Sequence, residues 1–130
     1  MVERETTDGV RIAQLLSSEI HGHTRDALGR LAVVDADTDV EPTEFGAFAY
    51  GVEGAGKRLA DVYVHPDRAH VAFRVGLTAA VEVAKREGLR VRPKATKPPQ
   101  TLVFVENGAD VKRALAVLRA VAAERLDEVG

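Results

Sequence analysis

The sequence predicts an α+β fold of two layers. A mostly antiparallel sheet carries helices on one face, in the element order α-β-β-β-β-α-β-β-α. Three observations predict it. Thr101-Leu102-Val103-Phe104-Val105 is an unbroken strand-like run that leads through Glu106-Asn107-Gly108 into a long helical pattern. Residues 45–75 alternate with a period of two between short turns. The helical patterns stand before, between and after runs of strands rather than between every pair, which favours antiparallel pairing over parallel crossovers.

The elements follow in order. Residues 1–7 are polar and are expected to fray. Asp8 is placed to cap a helix whose apolar residues Ile12, Leu15, Leu16 and Ile20 share one face, and Gly22 ends it. Leu31–Val34 reads as a strand, and the acidic stretch to Glu44 as a surface loop. Phe45–Val52 is a strand with Phe48 and Tyr50 on one face, and Gly54-Ala55-Gly56 is its turn. In Leu59–His65, Val62 and Val64 face inward while Asp61, Tyr63 and His65 alternate with them. Pro66-Asp67 turns the chain into a strand over 70–75, and these four strands form a meander. Gly76 and Gly88 bracket a second helix. Leu89–Arg92 is a short strand, and Pro93–Pro99 is a loop. The run 101–105 is a strand buried on both faces, and the last helix lays Val111, Leu115, Leu118, Ala122 and Leu126 along one stripe.

The 130 residues suffice for one domain, 1–130, with a core that needs no staples. With no Cys, disulfides and thiolate metal sites are excluded. The charged N-terminus has no apolar h-region, and no apolar run is long enough to span a bilayer, so a soluble, cytoplasmic protein is expected.

Several motifs fail chemically. Gly51–Lys57 matches the glycine and lysine spacing of a phosphate-binding loop, but Arg58 stands where a hydroxyl must hold magnesium. A strand-like alternation follows where a helix is required, so a hairpin is predicted. Asp35, Asp37 and Asp39 open like a calcium loop, but Val40 and Gly46 occupy the positions that need Gly and Glu. His21 with His23, and His65 with Asp67 and His70, are pairs on different elements whose convergence the sequence does not fix. Ser17 and Ser18 lie on a helix with no strained elbow. Neither a catalytic group, a cofactor nor a metal is read from the chain, and an enzyme ranks third among the functional classes.

Charge geography gives the leading reading. The net charge is −2, yet residues 35–44 hold five acids and no base, while 85–97 hold Lys85, Arg86, Arg90, Arg92, Lys94 and Lys97 against Glu87 alone. On a strand, Arg90, Arg92 and Lys94 point to one face. Lys85 and Arg86 end a helix, where cations also complement its negative end. The expected role is a small binding or regulatory module that contacts an anionic partner such as nucleic acid, through phosphate and without base readout. The competing explanation is a solvated edge charged against aggregation, or one paired with the acidic loop.

The runs His65–Val71, Gly88–Thr96 and Thr101–Glu106, with the opening Asp8–Leu16, resemble small uncharacterised proteins of halophilic archaea; the resemblance implies no activity, cofactor or site residue. The element order is similar to that of secretion-chaperone-like domains. That similarity implies the alternative reading, a homodimeric protein-binding adaptor, with Val83 or Val117 exposed at the dimer face.

Overall fold

The computed structural model describes residues 4–22, 31–54 and 56–129, the side chains of 125–129 excepted. Helix α1 (Gly9–Gly22) starts at Asp8, whose Oδ1 accepts hydrogen bonds from the N–H groups of Val10 and Arg11. Those groups have no partner within the helix, which is why a carboxylate stabilises its start. Ile12, Leu16 and Ile20 are fully buried on the face that the spacing predicts. Gly9 sits so close to the sheet that a Cβ there would meet the backbone oxygens of His65 and Arg68. Only glycine lets the helix begin at that distance.

Strands β1 (Leu31–Val34), β2 (Ala47–Gly54), β3 (Lys57–His65) and β4 (Arg68–Phe73) form the predicted meander. Helix α2 (Leu77–Arg86), strands β5 (Val91–Lys94) and β6 (Gln100–Val105), and helix α3 (Asp110–Val129) complete the order α-β-β-β-β-α-β-β-α. The six strands lie in the order β1-β2-β3-β4-β6-β5, each antiparallel to its neighbours. Residues of all three helices share one buried cluster with Val62, Val64, Val71, Phe73, Val103 and Val105. The helices therefore cover one face of the sheet, and the α+β reading holds.

The central strand is buried on both faces as predicted: Val103 and Val105 enter the helix-covered core, while Phe104 is covered on the other face by side chains alone. Three expectations change in detail. Phe48 and Tyr50 do not share a face, because a bulge between them leaves Phe48 opposite Tyr63 and turns Tyr50 inward, where its hydroxyl donates to the Ala13 carbonyl at 2.8 Å. Burial of that phenol raises its pKa. Strand β5 is displaced by two residues. Leu89 N–H returns to the Ala84 carbonyl and Gly88 N–H, at φ +79°, to that of Lys85, so Leu89 belongs to the end of α2. Pro93 and Lys94, expected in a loop, extend β5 instead, and at an edge the missing N–H of proline is tolerated. Val83 and Val117, expected to be exposed, are 7 % and 0 % exposed, because the facing helices α2 and α3 and the sheet enclose both.

Of the N-terminal segment expected to fray, residues 1–3 lie outside the described residues, whereas the carbonyls of Arg4 and Thr6 accept from Ala109 and Gly108. The phosphate-loop-like segment is the β2–β3 hairpin, with Gly54 paired to Lys57.

Candidate functional site on the uncovered sheet face

The strand register builds rows across the face that carries no helix. One row runs Phe48, Tyr63, His70, Phe104, from β2 to β6, and the Phe104 N–H donates to Arg90 carbonyl just ahead of β5. A second row runs Gly51, Asp61, Ala72, Leu102, Arg92. Lys94 lies opposite Gln100, one pleat further along the edge. These are the alternates of the core-facing valines, so the period of two places them together.

The first row is a continuous ring contact. Phe48 meets Tyr63 edge-on at 6.0 Å, Tyr63 stacks on His70 at 5.0 Å and 19°, and His70 meets Phe104 at 5.6 Å. Guanidinium groups cover its far end: Arg90 lies 4.8 Å and Arg68 5.8 Å from the Phe104 centroid. Cations are drawn to the negative face of a ring, and of the two the Arg90 side chain is largely in solvent while that of Arg68 is mostly covered.

His65 and His70 form a buried pair, with His65 Nε2 2.8 Å from His70 Nδ1. A carbonyl only accepts, so His65 Nδ1–H donates to the Glu44 carbonyl at 2.9 Å. With both rings neutral, His65 Nε2 is then the acceptor and His70 Nδ1–H the donor. Burial pulls the His70 pKa down to about 4, helped by the charges of His65, Arg68 and Lys94. His21 is on exposed α1 surface and does not join them; His23 lies outside the described residues. Among the described residues no group of three His, Asp or Glu side chains is placed to hold a metal.

The second row has its own charge cluster. Asp61, 1 % exposed, accepts from Arg58 Nη1 and Arg74 Nη2 at 2.5 Å each, and Arg58 Nη2 reaches Asp35 at 2.6 Å. The hydrogen bond to Asp61 raises the pKa of Arg58. Gly51 makes room for this: a Cβ there would strike the Arg58 guanidinium at about 2.5 Å. The cluster satisfies its charges internally and offers an anion little.

The six basic residues singled out in the sequence separate into two groups. Arg90, Arg92 and Lys94 follow one another along the uncovered face at the β5 edge, and Lys97 stands exposed on the β5–β6 connection. Lys85 and Arg86 are exposed at the end of α2, in the helix layer, and do not share that face. Arg90 is 3.4 Å from Glu106, with both side chains largely in solvent. Such a pair is worth about 0–1 kcal/mol and exchanges readily. Among the described residues, no carboxylate lies within ion-pair distance of Arg92, Lys94 or Lys97. The acidic loop leaves β1 at the opposite edge and sends Asp35 to Arg58, not to the basic strip. The far end of the loop crosses to β3, where the Glu44 carbonyl accepts from His65. None of its carboxylates is within ion-pair distance of Arg90, Arg92, Lys94 or Lys97, so the basic edge has no direct ion pair with that loop.

Sequence reasoning missed Phe48, Tyr63, His70, Phe104 and Arg68 as a group. Alternation places Tyr63 and His70 opposite the core-facing valines, but the bulge hides the outward turn of Phe48, and only the order β4-β6-β5 brings Phe104 between His70 and Arg90.

No helix among the described residues is long and apolar enough to cross a membrane. Residues 1–129 match the model of a family described as a family of unknown function (DUF7993). No curated protein and no solved structure matches the chain.

Proposed function

For a chain that belongs to this family of unknown function, we propose that the uncovered sheet face binds an anionic partner, and that single-stranded nucleic acid suits it best. The observation that carries this reading is the alignment of Arg90, Arg92 and Lys94 along one edge, beside a ring row that ends under a guanidinium. Alternate strand positions set these cations about 6.6–7 Å apart, a row that can follow an extended phosphate backbone. Bases stack on arginine planes as well as on aromatic rings, without need of base-specific hydrogen bonds. Lys97 extends the row. Lys85 and Arg86 have no part in it. We read the protein as cytoplasmic and, by its resemblance, as one of the small proteins of halophilic archaea; neither point enters the argument for the site.

The test is fluorescence anisotropy of a labelled oligothymidylate at low salt. Three to four phosphate contacts give a log–log salt slope of about −2 to −3 for single strands. The pair Arg92→Glu and Lys94→Glu abolishes binding, whereas Lys85→Glu with Arg86→Glu leaves it within about twofold. Absence of binding, or equal losses from both pairs, refutes the reading.

A further inference from the structure

A cleft of about 300 Å³ opens between α1 and the acidic segment that leaves β1, with β2 as its floor. Its walls divide by chemistry. Val10, Ala13, Val40, Ala49 and Tyr50 give an apolar lining, and Gln14, Ser17, Ser18, Asp37 and Thr38 a polar one. The α1 members recur at helical spacing, so one stripe of the helix forms one wall.

The walls are tied to one another. Asp37 N–H donates to the Ala49 carbonyl at 2.8 Å, which fixes the acidic segment to β2. Tyr50 hydroxyl donates to the Ala13 carbonyl, which fixes β2 to α1. Asp37 Oδ1 accepts from Asp39 N–H at 3.0 Å, so its own side chain is held in place as well. A site ordered in advance leaves less entropy to be lost when a ligand enters.

Among the described residues, Asp37 is the one charged group in these walls, and no base lies within ion-pair distance of it. Asp35, its neighbour on the segment, is by contrast paired with Arg58. Arg11 reaches the rim, where its Nη1 donates to Gln14 Oε1 at 3.3 Å. Asp39 and Glu41 stand exposed on the same segment as Asp37, and the three carboxylates outweigh that one guanidinium. The charge about the cleft is therefore negative.

We propose that this cleft binds a small organic ammonium ion, with the cationic head on Asp37 and an apolar body against Val10, Ala13, Val40, Ala49 and Tyr50. An ammonium has N–H donors and no acceptor. The Asp37 carboxylate takes one donor in a charge-assisted bond, and the hydroxyl oxygens of Ser17, Ser18 and Thr38 are acceptors for the others. An anionic ligand of the same shape meets Asp37 as a like charge. The cleft lies at the β1–β2 side of the sheet and the cationic row at the β5 edge, so this proposal does not depend on the polyanion reading.

The experiment is amide chemical-shift mapping of the full chain during titration with phenethylammonium, with phenethyl alcohol and phenylacetate as the neutral and anionic counterparts. Saturable shifts are expected on α1 and over residues 36–40 with the ammonium. The alcohol should bind at least about tenfold more weakly, the loss of a hydrogen bond between charged groups, and phenylacetate should not bind. Asp37→Asn keeps the shape and the acceptor for Asp39 N–H, and weakens the ammonium by about tenfold. Asp39→Asn removes an equal charge from the same segment, outside the walls, and leaves affinity within about threefold. The spectra of both variants report directly whether the fold is kept. Absence of saturable shifts in the unaltered chain overturns the proposal, as does equal affinity for the alcohol or a loss from Asp37→Asn no larger than that from Asp39→Asn.

Discussion

The Arg90 guanidinium lies 4.8 Å from the centroid of Phe104, on the face of the sheet that no helix covers. Its other contact is Glu106, 3.4 Å away in solvent. Both interactions are weak, so Arg90→Ala is expected to lower stability by less than about 1 kcal/mol in urea melts. It should nevertheless reduce the magnitude of the salt slope for oligonucleotide binding by about 0.7, the share of one phosphate contact. Glu106→Gln is expected to strengthen binding, because it frees Arg90 and removes a negative charge from the same edge. A large stability loss from Arg90→Ala, with the salt slope unchanged, would assign the residue to structure alone.

Asp61 holds two guanidinium groups, Arg58 and Arg74, while only 1 % exposed itself. Asp61→Asn keeps the shape but leaves both cations without their central carboxylate. Loss of one partner of a buried pair costs about 3–5 kcal/mol. Arg58 and Arg74 are 25 % and 46 % exposed and can turn to water, which reduces the expected cost to about 2 kcal/mol. Chemical denaturation reads it directly. A neutral result would mean that solvent replaces the carboxylate without loss.

Histidine 70 gives the pH prediction. Its folded pKa of about 4 lies below the ordinary histidine value of about 6.5. Between these values the unfolded chain binds the proton and the folded chain does not, so stability falls as pH falls. From pH 7.5 to pH 5 the loss is on the order of 2 kcal/mol, above the range where unfolded carboxylates titrate. The contribution is fully present above about pH 6.5 and gone below about pH 4. The His70 ring resonances should therefore show no titration near pH 6.5, and His70→Gln should flatten the stability profile over that interval. A ring that titrates near 6.5 would contradict the burial argument.

Much of the architecture was legible in the sequence because each element has a local cause. Asp8 caps α1, Gly88 closes α2, and the alternation through Val62 and Val64 separates the core face from Asp61, Tyr63 and His65. What escaped depends on distant partners or on one-residue irregularities. The bulge that sends Tyr50 into the core and Phe48 outward has no marker in the alternation, since both residues are aromatic. Leu89 looks like a strand residue until its N–H is seen returning to Ala84. The exposure expected for Val83 and Val117 failed because three helices on one face bury more than a single stripe on each. Half of the site was readable, since alternation alone aligns Arg90, Arg92 and Lys94. The aromatic half was not, because Phe104 and His70 meet only through the non-sequential pairing of β4 with β6.

The most direct measurement is amide chemical-shift mapping of the full chain during titration with an unlabelled oligothymidylate at low salt. The account predicts the largest shifts at Arg90, Arg92, Lys94, Leu102 and Phe104, with Lys85 and Arg86 little moved. Shifts gathered on Lys85 and Arg86 in the helix layer, or no shifts at saturating oligonucleotide, would contradict it.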